Sequence, residues 1–215
     1  MAVDFRDEAP AILKDYLIYK QTIKNMSKKT VDEYFIDLRT FFRFLKVMRG
    51  LVPDGTEFDE IKIDDVDLDL IKTVNLELAY DYMNFLYRDR NNKSASRARK
   101  CSSLKGFFKY ITNNKHLLDT NPVEQLESPK NKKALPKYLT LEQSIELLNV
   151  VDGNNKQRDY CILTLFLNCG LRVSEMAGLN YNDIHSDGTM RIVGKGNKER
   201  IVYLTLPVLT LIMSI

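Results

Sequence analysis

The most constraining feature of this 215-residue chain is a run of apolar side chains at helical spacing. Val31, Tyr34, Phe35, Leu38, Phe41, Phe42 and Leu45 recur every three or four residues, which puts them on one stripe of an α-helix over 28–49. Ser27 stands where a helix N-cap belongs, and Gly50 with Pro53 closes the segment. A helix with so broad an aromatic stripe needs other helices to cover it. Residues 8–23, 75–90 and 94–113 supply them, with Leu76, Leu78, Ala79, Tyr82, Met83, Phe85 and Leu86 in one and Ala98, Cys101, Leu104, Phe107, Phe108 and Ile111 in another. Tyr34, Phe41, Phe44, Phe107 and Phe108 follow this periodicity and are read as core. The acidic stretch 54–69 is read as a loop, and Asn91-Asn92 as a turn.

After Pro122, Pro129 and Pro136, with Lys130, Lys132 and Lys133 among them, the pattern changes. Proline pushes the residue before it into extended backbone, so this basic stretch marks the domain boundary. Thr140 caps a helix at 141–151, and 156–169 is a strongly apolar helix ended by Gly170. Ser174 is the expected cap of a short helix at 174–179. Met190–Val193 and Arg200–Leu204 read as strands around the turn glycines Gly194 and Gly196, and the last residues read as the start of a helix. The expected domains are 1–127, a linker over 128–136, and 137–215. The fold class expected is mainly α: a four-helix domain followed by the α+β beginning of a second domain.

Composition narrows the function. A hydrophobic content of 44% is enough for a packed core and excludes a disordered chain. The net charge of +3 says little, but its distribution says more. Residues 54–81 hold ten acids against Lys62 and Lys72, whereas 88–115 hold nine basic residues against Asp89. Such polarity is either the footprint of an anionic partner or two solvated faces of opposite sign. The basic helix at 94–113 is amphipathic, which fits a DNA major groove or a membrane surface. Cys101, Cys161 and Cys169 show no metal-ligand spacing and read as reduced. The chain begins without an apolar signal segment, and Ile201–Ile215 is too short to span a bilayer. His116 and His185 are isolated loop residues. Gly194 and Gly196 form no Walker motif.

Four segments carry a resemblance. Met26-Ser-Lys-Lys-Thr-Val-Asp-Glu-Tyr-Phe-Ile-Asp-Leu-Arg39 leads into Phe41-Phe42-Arg43-Phe44-Leu45. Ser94-Ala-Ser-Arg-Ala-Arg-Lys-Cys-Ser-Ser-Leu-Lys-Gly-Phe-Phe-Lys-Tyr110 is the basic helix, and Asn121-Pro-Val-Glu-Gln-Leu126 opens the linker. The most specific is Gly170-Leu-Arg-Val-Ser-Glu175 followed by Gly194-Lys-Gly-Asn-Lys-Glu-Arg200. In this order they resemble the Xer-type tyrosine recombinases of the phage integrase family.

The resemblance implies a SAM-like clamping domain joined to a catalytic domain, and cleavage of DNA through a 3′-phosphotyrosine without metal or cofactor. It implies Arg172 and Lys195 as catalytic residues, with Glu175 supporting the arginine. It further implies DNA contacts from Ser27, Lys28, Lys29, Thr30, Arg39, Ser94, Ser96, Arg97, Arg99, Lys100, Lys105 and Lys130. Lys198 and Arg200 are either solvated hairpin charges or phosphate contacts. A guanidinium offers a planar fork to phosphate oxygens, and a lysine on a hairpin can protonate a leaving oxygen. The expected partner is a double-stranded recombination site, bound by a tetramer of two dimers in a bacterial cytoplasm, at the nucleoid. Chromosome partition in the cell cycle and integration of a mobile element are both open.

The family's His-x-x-Arg and nucleophilic tyrosine have no counterpart after Lys195, since Tyr181 and Tyr203 fall among the early motifs. The sequence is therefore expected to be a fragment of a recombinase that binds DNA without cutting it. The other reading is a DNA-binding accessory or competitor without chemistry.

Overall fold

The structure, a computed structural model, describes residues 8–130, 135–194 and 196–213. These divide into two compact units, 8–130 and 135–213.

In the first unit, helices α1 (Ala11–Thr22), α2 (Lys28–Met48), α3 (Leu68–Lys72), α4 (Leu76–Arg88) and α5 (Ser94–Lys109) surround one core. Each of α2, α3 and α4 starts where a side-chain oxygen takes an otherwise unpaired N–H. Ser27 accepts from Thr30 at 3.3 Å, Asp67 from Leu70 at 2.8 Å and Asn75 from Leu78 at 2.8 Å. The stripe of α2 meets α5 through aromatic rings set edge to face, the arrangement their quadrupoles favour. Phe42 lies 5.5 Å from Phe107, and Tyr16 of α1 lies 5.6 Å from the same ring. Helix α1 approaches α5 at Gly106, where a Cβ would stand 2.7 Å from the Tyr16 hydroxyl. Beyond α5, residues Tyr110–Asn114 continue as one turn of π-helix.

The acidic stretch is more ordered than the loop expected of it. Phe58–Glu60 form a 3₁₀ turn, and α3 begins at Leu68. Ile61, Ile63 and Val66 are buried between the acids. Those three side chains anchor the segment, and the surrounding carboxylates hid them in the sequence. The acids also turn back on basic residues. Asp59 sits 3.4 Å from Arg43 and 3.1 Å from Arg90, and Asp65 is 2.7 Å from Lys46. Part of the charge polarity is thus closed within the unit.

In the second unit, α6 (Leu141–Asn149) opens on a reciprocal cap, Thr140 accepting from the Gln143 N–H and Gln143 accepting from the Thr140 N–H. Helix α7 (Lys156–Cys169) ends at Gly170, which is left-handed with φ 58°. The short α8 (Val173–Ala177) leads to an antiparallel hairpin of β1 (Thr189–Val193) and β2 (Glu199–Tyr203), with Thr189 opposite Tyr203 and Val193 opposite Glu199. Helix α9 (Leu206–Met213) packs on α7. Cys161, Leu165, Leu171, Met190, Ile192 and Val208 form the core. Ser174 is not the cap of α8. The helix starts one residue earlier, and Arg172 occupies the cap position.

Candidate active site and nucleic-acid interface

The second unit builds its polar cluster from the turn into α8 and the base of the hairpin. Arg172 leaves α7 in extended backbone, φ −79° and ψ 153°. Its N–H donates to Glu175 Oε2 at 2.9 Å, and its Nη1 donates to Oε1 at 2.7 Å. Arg200, on β2, places its fork on the same carboxylate, Nη1 to Oε1 and Nη2 to Oε2, both at 2.9 Å. Glu175 therefore accepts four charge-assisted or backbone hydrogen bonds. The Arg200 fork, and then the Arg172 N–H, hold its carboxyl down to about 2.

The exposures divide the labour. The Glu175 side chain is 2% exposed, Arg200 38% and Arg172 70%. Two guanidiniums share one buried carboxylate, so the cluster is net positive, and Arg172 presents its free donors to solvent.

Gly194 brings the hairpin against this cluster. A Cβ there would lie 3.1 Å from Glu175 Oε1 and 4.0 Å from Arg172 Nη1. A side chain there would press on the shared carboxylate, which would have to give by a few tenths of an ångström. The Gly194 N–H closes the turn on the Lys198 carbonyl at 2.7 Å. Lys195, the expected proton donor, lies outside the described residues; its neighbour Gly194 is packed beside Arg172. Lys198 is exposed. Behind the hairpin, Asp183 takes Arg191 at 2.9 Å and the Asn180 N–H at 2.9 Å, fixing β1 to the turn after α8.

In the first unit, the expected contact residues fall at the start and middle of α2, along α5 and in the segment that ends at Lys130. Ser27, Lys28 and Lys29 are exposed and Thr30 half-buried, with Lys28 paired to Asp32 at 3.0 Å. Arg39 donates to Glu8 at 2.8 Å and lies over the Phe35 ring. Ser94 and Ser96 are half-buried on the first turn of α5. Arg97 donates to the Asn92 carbonyl at 2.8 Å and stacks on Tyr87. Lys105 donates to the Leu126 carbonyl at 3.0 Å, tying α5 to the segment before the prolines. Lys130 is exposed.

Lys100 is placed differently from the expectation. Its side chain is 9% exposed and its ammonium sits 3.0 Å from Asp37 Oδ1. A charge so enclosed is spent on its partner and is not offered to a phosphate. Asp37 itself, one residue before Leu38 of the apolar stripe, is the residue that sequence reasoning missed. Its only signal was an acid beside core positions. The bracing of Glu175 by Arg200 was equally hidden, because Arg200 reads either as a solvated hairpin charge or as a phosphate contact.

With that geometry in place, comparison with known proteins assigns the class. Residues 13–115 match the phage integrase N-terminal SAM-like domain, and residues 137–215 match the phage integrase family domain. The chain belongs to the phage integrase family, among the Xer-type tyrosine recombinases. It is similar to tyrosine recombinase XerC of Caldanaerobacter subterraneus subsp. tengcongensis, 49% identical over 91% of this chain and 55% of the relative. XerC of Syntrophus aciditrophicus is 34% identical over 91% of this chain and 60% of its own. The chain thus spans 55–60% of the length of these relatives. Two solved structures share its fold. One is a lambda integrase(75-356) dimer bound to a COC' core site, TM-score 0.61 at 17% identity, covering 92% of this chain and 64% of that one. The other is XerH site-specific recombinase bound to difH substrate in a pre-cleavage complex, TM-score 0.61 at 18% identity, covering 94% and 55%. Among the described residues no helix is long and apolar enough to cross a membrane.

Proposed function

We propose that this chain grips a duplex recombination site and supplies part of the machinery of DNA strand cleavage and exchange. The observation that carries the reading is the Arg172 cluster. A guanidinium locked at one nitrogen by a buried carboxylate, and exposed over the rest, is set to receive a phosphate without reorganising. That is what electrostatic stabilisation of a transition state requires. The names of the relatives, and the core site and difH substrate in the titles of the two structures, support the same partner.

In this reading a tyrosine, assigned to none of the residues here, attacks the phosphorus while the 5′-oxygen leaves. The attack moves negative charge onto the non-bridging oxygens, and Arg172 neutralises it. The departing oxygen is an alkoxide unless it gains a proton, and Lys195 supplies it from the hairpin that Gly194 seats beside Arg172. Glu175 and Arg200 hold Arg172 and touch no reacting atom. Ser27, Lys28, Lys29, Thr30, Arg39, Ser94, Ser96, Arg97, Arg99, Lys105, Lys130 and Lys198 are the proposed contacts to the duplex. The segment 128–136 is the proposed linker between a clamping domain, 1–127, and a catalytic one beginning at 137. Assembly on DNA as two dimers, and a place in the cytoplasm at the nucleoid, belong to the same proposal.

The test uses the protein extended to the full length of its XerC relatives and a DNA strand whose bridging 5′-oxygen is replaced by sulfur. A thiolate leaves without a proton. Lys195→Ala should cleave ordinary DNA slower by roughly 10²–10⁴-fold and the sulfur strand at a near-normal rate. Arg172→Ala should be slow on both. Equal impairment of Lys195→Ala on both strands would remove Lys195 from the acid's role.

A further inference from the structure

The first unit contains a charged cluster that the reaction does not use. Asp37 is on α2, its side chain 1% exposed, and it faces three donors from α5. Arg99 Nη1 reaches Oδ2 at 2.8 Å, Ser103 Oγ reaches Oδ2 at 2.7 Å, and Lys100 Nζ reaches Oδ1 at 3.0 Å. The same Arg99 Nη1 also meets Glu33 Oε2 at 2.7 Å. Lys100 lies 3.5 Å from the Thr40 hydroxyl as well.

A buried carboxylate is costly unless it is paired and hydrogen-bonded, and Asp37 is served on both oxygens. The two cations are treated unequally. Lys100, 9% exposed, is consumed in balancing the charge. Arg99, 44% exposed, gives one terminal nitrogen to the two carboxylates and keeps its other donors uncommitted among the described residues. The pattern matches the Arg172 cluster of the second unit, where a buried acid holds one face of an exposed arginine.

We propose that Asp37 is a positioning residue for DNA recognition. It fixes the Arg99 guanidinium at the surface of α5 for a backbone phosphate, with Lys100 and Ser103 completing the clamp from inside. The inference rests on the reading that α5 lies against the duplex. It goes beyond that reading by separating two adjacent basic residues of α5, Arg99, which contacts DNA, and Lys100, which does not.

The test measures binding of the 215-residue chain to a fluorescein-labelled random-sequence duplex across a salt series. Each phosphate contact contributes about −0.9 to the slope of log affinity against log salt. Arg99→Ala should weaken binding about tenfold, as loss of a charged hydrogen bond does, and reduce the slope by about one contact. Lys100→Ala should leave the slope unchanged. Asp37→Asn should weaken binding comparably, and adding it to Arg99→Ala should cost nothing more, because the arginine it positions is already gone. If the losses add in full, Asp37 is a structural residue only and the proposal falls. Tighter binding by Asp37→Asn also overturns it, since that outcome makes the carboxylate a competitor of the phosphate. An inert Arg99→Ala overturns the proposal, because Arg99 is then off the DNA; if Arg97→Ala is inert as well, α5 leaves the interface and the reading beneath the proposal fails with it. Should Asp37→Asn not fold, Ser103→Ala removes one hydrogen bond without touching charge. It should weaken binding severalfold in the wild-type background and not at all in the Arg99→Ala background; a loss in both overturns the proposal.

Discussion

The two units hold an arginine in the same way but are built on very different cores. In the first, α1, α2, α4 and α5 close around aromatic rings, and Phe35, Phe41, Phe42, Tyr82, Phe107 and Phe108 are all within 1% exposure. In the second, six residues form the buried cluster among the described residues, α6 buries none of its own, and Tyr138, Val173, Tyr203 and Leu206 stand more than three-quarters exposed. The lesson lies in what holds each arginine. The Arg172 cluster joins a helix turn to the base of the hairpin, through a carboxylate shared by two arginines and through a hairpin glycine. The Asp37 cluster, by contrast, spans two helices and inherits its geometry from how they pack.

The sharpest way to break this comparison is to damage each core in turn. Phe42→Ala removes a ring that touches Phe41 and Phe107 and should cost the first unit about 3–5 kcal/mol. Leu165→Ala, in the thinner core, should cost the second unit about 2 kcal/mol. Urea unfolding followed by a probe in each unit should show two transitions, the second unit's at lower urea. Phe42→Ala should move only the transition of the first unit. A single transition, shifted equally by both variants, would mean that the two cores do not behave as separate bodies.

A smaller effect sharpens the account of the shared carboxylate. The Glu175 carboxyl is held at about 2, below its ordinary 4.5, by the Arg200 fork and the Arg172 N–H. Between those values the unfolded chain takes up a proton that the folded one refuses. The stability contributed by the cluster is therefore complete above about pH 4.5 and is lost as the pH falls toward 2. Asp183 and Asp187 are depressed in the same direction by Asn180 with Arg191, and by Thr189. The informative quantity is thus the difference between wild type and Glu175→Gln. Thermal melts of the second unit should converge for the two proteins as the pH falls through this window and diverge above it. Parallel curves would show that the carboxylate is not held as the geometry requires.

Much of this was legible in the sequence, for reasons that differ between residues. The stripe from Val31 to Leu45 reported α2 because helical periodicity survives any tertiary context. The first strand of the hairpin begins one residue earlier than expected and the second is displaced by one; α8 also begins a residue early, since capping by Arg172 and Glu175 outcompetes the serine that looks like a cap. The Gly170-Leu-Arg-Val-Ser-Glu175 segment announced Arg172 and Glu175. What remained hidden were partners supplied from far along the chain. Arg200 on Glu175, Arg99 and Lys100 on Asp37, and Arg43 with Arg90 on Asp59 depend on which helix faces which. No local pattern encodes that. The same blindness made Lys100 look like a surface charge when the fold had enclosed it.

The central proposal is that each unit contacts duplex DNA, the first through the beginnings of α2 and α5 and the second through Arg172 and its hairpin. Side-chain and amide NMR shifts of the 215-residue chain, titrated with duplex DNA at low salt, test this directly. The account predicts that Lys28, Lys29, Arg97 and Arg99 shift together with Arg172 and Lys198, and that the acidic segment around Asp64 and Asp69 stays still. Shifts confined to one unit, or concentrated on the acidic segment, would contradict it.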